Sequence, residues 1–275
     1  LSKLSRFFAS EIALKISGQN LTAVRTGFRT VLHDTYNGYK IEKHLSGSLP
    51  YHYRKLDSVI EDFEAQHNAL ELMVDLMATA PTVESFRNSH GSEILACCYL
   101  EEKLDIRRLY SKLSMTTSEN TNAHKMDGLF VNVSSEPYEY IFVEAKSSIL
   151  PTEKTKTKSH RSGLLQQMLT SLDGYEAEEP RMELVRIREN LDKNFQEAVR
   201  TKIKADLRPP GPKLKYLGIS ITNSSTINSE DDDFILSSPC KISFDYYGLV
   251  VTDVARITSS AYAIWDDIKE LIKKS

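Results

Sequence analysis

The chain has 275 residues, 40% hydrophobic and 27% charged, a balance that excludes a disordered tail and suits an ordinary soluble chain with one sizeable core, or a core with an appendage. Its longest uninterrupted apolar run, Ile94 to Leu100, is far below the ~20 residues that a membrane helix needs, and no signal-peptide hydrophobic region opens the sequence. The net charge of −3 lacks the strong basic excess of proteins that bind nucleic acid unaided.

Three cysteines, two of them adjacent at Cys97 and Cys98, offer no disulfide framework and suit a reducing cytoplasm. The first residue is Leu1 rather than Met, so the native start can lie upstream.

Helical patterns dominate an N-terminal region of about residues 1 to 88, expected to pack on the core of the protein. Its best helix starts near Lys55, with Leu56, Ile60, Phe63, His67, Leu70, Val74 and Met77 at alternating steps of four and three. The next helix is read as starting after Ser89-His90-Gly91-Ser92, which puts Glu93 in its first turn. At helical spacing Glu93, Cys97, Leu100 and Leu104 share a face. A carboxylate that leads an apolar stripe points toward the protein, where a metal or a metal-bound water would satisfy it. Alone, an acid near a helix start is more often a partner of the helix dipole.

Lys125 to Val133 reads as an apolar strand that opens on Asp127 and Gly128, although Asp-Gly alone is ordinarily a turn. Ser134 to Pro137 reverses the chain, and Tyr138-Glu139-Tyr140-Ile141-Phe142-Val143 has the near-continuous aromatic and β-branched content of a strand covered on both faces. That strand ends in Glu144-Ala145-Lys146. Side chains alternate along a strand, so Glu144 and Lys146 share a face, and the hairpin brings Asp127 toward it. By itself Glu-x-Lys at a strand end is commonly a surface pair or an edge guard.

Lys154, Lys156, Lys158, His160 and Arg161 come next, in a Thr- and Ser-rich segment at the lip of this cluster, placed either to touch phosphate or simply to be solvated. Gly163 to Leu172 reads as a helix with Gln166 and Gln167 early on it. A long amphipathic helix is expected from about Pro180 to Ala205, with Leu184, Ile187, Leu191, Phe195, Ala198 and Ile203 on one side, stopped by Arg208-Pro209-Pro210-Gly211-Pro212. Strands are expected at Lys215 to Thr222 and Tyr246 to Asp253. The acidic run Glu230 to Asp233 between them reads as an exposed turn outside the site. A terminal helix carries Ala261, Ile264, Trp265, Ile268, Leu271 and Ile272.

Two or three carboxylates with one ammonium have a clear chemical use. Mg²⁺ prefers hard oxygen ligands and keeps several waters, so carboxylates plus a substrate phosphate suit it. The lysine can orient a water or stabilise charge that develops on phosphorus. Competing chemistries lack their signatures: no two glycines are spaced for a dinucleotide fingerprint or a Walker A loop, no Gly-x-Ser-x-Gly occurs, and the scattered histidines, His90 and His124 included, form no His-x-x-x-His pair.

An acid on a first helix, an acid opening one strand and Glu-x-Lys ending the next resembles the PD-(D/E)xK nuclease superfamily. Within it, His90-Gly91-Ser92-Glu93, Lys125-Met126-Asp127-Gly128 and Phe142-Val143-Glu144-Ala145-Lys146 resemble the HamA family, nuclease subunits of Hachiman anti-phage defence systems. The motif-level resemblance covers roughly residues 89 to 170, and Met126 stands where the superfamily usually has proline. It implies an α/β fold with a restriction-endonuclease-like mixed central sheet flanked by helices. The core would span 89–275, with 1–88 as the added N-terminal helical region. It further implies Glu93, Asp127 and Glu144 as metal-site acids for Mg²⁺, with Mn²⁺ as a substitute, Lys146 as catalytic lysine, DNA as substrate and a helicase partner, HamB. Lys154, Lys156, Lys158 and Arg161 are the expected DNA contacts. The alternative is a subunit that keeps the fold and docks DNA without cutting it. A glycosidase using Glu93 and Glu144 leaves Lys146 and the cationic segment without purpose.

Overall fold

A computed structural model describes residues 8–14, 25–32, 35–36, 39–53, 74–75, 77–109, 112–115, 127–148, 161–177, 181–189, 191, 195–226 and 242–274. In chain order the elements are β1 (Phe8–Leu14), β2 (Arg25–Leu32), β3 (Thr35–Tyr36), β4 (Tyr39–Lys40), α1 (Ile41–Ser48), α2 (Pro50–Tyr53), α3 (Glu84–Lys103) and β5 (Arg107–Arg108). Next come β6 (Gly128–Asn132), β7 (Glu139–Ser148), α4 (Arg161–Ala177), α5 (Arg181–Glu189), α6 (Glu197–Asp206), β8 (Leu214–Asn223), β9 (Phe244–Val251) and α7 (Val254–Lys274). Short 3₁₀ turns occupy Lys112–Met115 and Ser224–Thr226.

Seven strands form one mixed sheet in the order β1-β2-β9-β8-β7-β6-β5. The four inner strands β2, β9, β8 and β7 run parallel, and the outer pairings are antiparallel. Parallel strands lie under helices on both faces, which explains why β8 is buried from Leu217 to Thr222 and β9 from Tyr246 to Val251. The pleat sorts side chains between two layers. Phe130 and Val143 join the core under α1, α3 and α7, whereas Leu129, Val131, Tyr140 and Phe142 join the core under α5 and α6. Met168, Leu169 and Leu172 of α4 cover the β9 end of that second face with Phe244 and Tyr246.

The helix bearing Glu93 begins at Glu84, not after Ser92, so Ser89 to Ser92 lie inside α3 and Glu93 is in its third turn. The Ser-His-Gly-Ser run imitates a helix start, but its glycine has another use. A Cβ on Gly91 would lie 2.7 Å from Thr258 Cγ2, so glycine is what lets α7 cross α3 at this point. Every residue of α3 from His90 to Leu100 is buried, as befits a helix enclosed on all sides.

Two further expectations are corrected. The region before residue 88 is not simply helical, because β1 and β2 extend the central sheet through parallel pairing of β2 with β9. The single helix expected over 180–205 is two helices, α5 and α6. The break lets Leu191 and Phe195 both turn into the core and resets the helical phase. Val199, Ile203 and Leu207 then pack inward while Ala198 is exposed. After α6 the proline-rich stop holds, and Gly211 takes φ +85, where other residues are strained. Most of the helix expected from Lys55, and the acidic run Glu230 to Asp233, lie outside the described residues. Met77, at the end of that stripe, is buried in the core.

Candidate active site

The site occupies a notch in the sheet. Strand β6 begins at Gly128, opposite Val143, whereas β7 continues to Ser148 with β8 along its other edge. Among the described residues, therefore, β6 offers β7 no backbone partner beyond Val143. Asp127, one residue before β6, fills the first vacancy with its side chain: Oδ2 accepts the Ala145 N–H at 2.8 Å. This hydrogen bond fixes Asp127 beside the part of β7 that carries Glu144 and Lys146. These two share a face, and Lys146 Nζ lies 2.5 Å from Glu144 Oε1 and 3.8 Å from Asp127 Oδ2.

Glu93 enters from α3, and the connection is made by Lys112 on the 3₁₀ turn after β5. Its Nζ donates to Asp127 Oδ1 at 2.5 Å and lies 3.1 Å from Glu93 Oε2. Acids and ammonium groups thus alternate as Glu93, Lys112, Asp127, Lys146 and Glu144. Side-chain exposure runs from 2% at Glu144 to 24% at Lys146, so the cluster is reached from solvent at the Lys146 side.

Burial dominates the electrostatics. It raises the Glu93 carboxyl to about 7, helped by Asp127 and opposed by Lys112. The Glu144 carboxyl is likewise raised to about 7, by burial and then by the Asp127 charge, against the pull of Lys146. Burial works to discharge both lysines, but the surrounding carboxylates outweigh it and hold each above its ordinary value. The same burial, with Lys112 nearby, lowers His90 to about 4. Three acids against two lysines leave one formal negative charge when all are ionised, a site that gains from a further cation.

The donor set suits Mg²⁺, since every acidic ligand available is a carboxylate oxygen. Glu144 Oε2 is buried with no hydrogen-bond donor in bonding geometry, although the Ser171 side chain also favours the charged carboxylate. In this conformation the ammonium groups stand between the acids, and no trio of His, Cys, Asp or Glu among the described residues is already gathered around a metal position. Binding a metal here requires an ammonium to give way.

The structure brings together the four residues singled out from sequence, Glu93, Asp127, Glu144 and Lys146. Lys112 escaped notice because a lone lysine after a short strand carries no motif. The only available signal was charge balance, since three buried acids call for more than one cation. Lys154, Lys156 and Lys158 lie outside the described residues, as does the side chain of Arg161, which opens α4. Gln166 and Gln167 are exposed. His90 is not a loop residue: it is buried in α3 with Nδ1 3.0 Å from the Tyr53 hydroxyl, which is itself 2.6 Å from that of Tyr262.

A mixed sheet flanked by helices, with acids and a lysine gathered where one strand outruns its neighbour, defines a restriction-endonuclease-like α/β protein. A model of the HamA family matches residues 14–264, and the chain belongs to that family, which makes it a component of Hachiman anti-phage defence. No curated protein matches the chain significantly. Among the described residues, no helix is long and apolar enough to cross a membrane.

Proposed function

We propose that the chain is a metal-dependent nuclease that hydrolyses DNA phosphodiester bonds as the effector subunit of a defence complex with a helicase, HamB. The observation that carries this reading is the convergence of Glu93 from a helix, Glu144 from a strand and Asp127 from just before the neighbouring strand on a buried cluster that includes Lys146.

In this reading Glu93, Asp127 and Glu144 hold Mg²⁺, or Mn²⁺ in its place. When bound, the ion supplies polarisation of the phosphate and an activated water. Lys146, the most exposed group of the cluster, meets the phosphate and stabilises the charge that develops on its oxygens. Ala145 N–H keeps Asp127 from rotating away. Lys154, Lys156 and Lys158, which follow β7 in the sequence, and Arg161 at the start of α4 serve as the strand-tracking contacts, and the weak overall charge is offset by a partner that delivers the DNA.

Supercoiled plasmid incubated with the protein and its helicase partner tests this directly. Nicking or linearisation is expected with Mg²⁺ and not with EDTA, and not by Glu144→Ala or Lys146→Ala. Cutting that survives both substitutions would reject the assignment. A wild-type complex that binds DNA without cutting it would favour a docking subunit instead.

A further inference from the structure

Lys112 has no task in the nuclease reading, yet it makes the two contacts that tie Glu93 to the rest of the site. It starts the 3₁₀ turn Lys112–Met115, whose next residue, Leu113, is buried at 1% exposure in the core beneath α3. The backbone is therefore anchored while the side chain reaches into the cluster. Its Nζ sits between carboxylate oxygens of two separate elements, at 2.5 Å and 3.1 Å, and the side chain is only 11% exposed. That is the position of a cation bound by Glu93 and Asp127. Lys146, by contrast, attends to Glu144 from the solvent side. An ammonium and a divalent ion cannot share the same pair of carboxylates at contact distance, because their mutual repulsion is poorly screened in a buried site. The flexible four-carbon stem of lysine allows Nζ to leave without moving the turn that carries it.

We propose that Lys112 is an exchangeable internal counterion, which holds Glu93 and Asp127 in place in the metal-free protein and is displaced from between them when a divalent cation binds. This rests on the reading that those acids form the metal site. It assigns Lys112 a positioning role: it keeps three buried acids compatible with a folded, metal-free protein, and its displacement couples metal loading to a rearrangement of the site. The consequence is a metal affinity below that of the same acids without the lysine.

The test uses the full chain and Mg²⁺ alone, with calorimetric titration and thermal unfolding of wild type, Lys112→Met and Lys112→Gln. Both variants are expected to melt below wild type in EDTA, to gain more from saturating Mg²⁺ than wild type does, and to bind Mg²⁺ at least about tenfold more tightly, since a competing unit charge has gone. Lys112→Gln retains a hydrogen-bond donor for Asp127 and serves if Lys112→Met does not fold. Binding by the variants with none by wild type would also support the exchange. Affinities equal to or weaker than wild type, with the same melting deficit in EDTA and in Mg²⁺, would show a fixed structural ion pair and overturn the inference while leaving the nuclease reading intact. Absence of Mg²⁺ binding in all three proteins would instead overturn the metal site itself, and the exchange with it.

Discussion

Replacing Glu144 with Gln separates what stabilises the protein from what the site needs. The Glu144 carboxyl, ordinarily near 4.5, is raised to about 7 by burial and by Asp127. At about 1.4 kcal/mol per unit, keeping it ionised in the metal-free fold costs roughly 3 kcal/mol relative to the unfolded chain. The sign is set by proton binding. Between pH 4.5 and about 7 the folded state retains a proton that the unfolded state has released, so this group's contribution falls as pH rises through that window and is level above it. Gln has the shape of the protonated acid and bears no such cost. Its amide oxygen can still accept from Lys146 at the position of Glu144 Oε1, and the charge attraction that is lost is already contained in the value of about 7. At pH 8 in EDTA, Glu144→Gln is thus expected to be more stable by up to about 3 kcal/mol, or up to roughly 6–12 °C in Tm. Near pH 4.5, where Glu144 is protonated in the fold, the gain disappears. Plasmid cleavage in Mg²⁺ is expected to fall by at least about 100-fold. Urea and thermal unfolding in EDTA across this pH range, paired with a cleavage assay, provide the comparison. A variant less stable than wild type at pH 8, or a stability difference that does not change with pH, would refute the reasoning.

Other consequences can be checked alongside it. Lys146→Met is expected to lose cleavage by about 100-fold or more while retaining Mg²⁺ binding by titration calorimetry, because the lysine is placed to meet phosphate rather than metal. Metal affinity should weaken as pH falls through about 7, since Glu93 and Glu144 both take up a proton there, and titrations at pH 6 and pH 8 give the sign. Gly91→Ala drives a Cβ to 2.7 Å from Thr258 Cγ2. Overpacking of about 1–3 kcal/mol should exceed the gain of about 1 kcal/mol in helix propensity. Adding Thr258→Ser removes the opposing methyl and keeps the hydroxyl that donates to Asn88 Oδ1, so the double variant should recover most of the loss in denaturant unfolding.

The parts of the fold that were legible in the sequence are those whose signals are local. β6 to β9 announce themselves through apolar runs of strand length between turn residues, and α7 through its apolar stripe. The pairing of Asp127 with Glu144 and Lys146 comes from alternation and a short reversal. What escaped depends on distant contacts. β1 and β2, with sequences FASEIAL and RTGFRTVL, belong to the sheet because β9 offers a parallel edge far along the chain. The start of α3 is hidden in the sequence because Gly91 serves a crossing with α7 that only the tertiary structure reveals. The continuous apolar pattern over 180–205 conceals the break between α5 and α6, where burial of Leu191 and Phe195 in the core outweighs helix continuity. Lys112 was invisible for the same reason: its partners Glu93 and Asp127 lie on elements that the fold, not the sequence, brings to it.

The most direct test of the proposed metal site is diffraction at the manganese absorption edge from crystals grown with Mn²⁺, for wild type and Asp127→Asn. One anomalous peak bounded by Glu93, Asp127 and Glu144, absent or strongly weakened in the variant, is the expected result. A peak elsewhere on the molecule, or one that survives Asp127→Asn unchanged, would contradict the metal site on which the nuclease assignment depends.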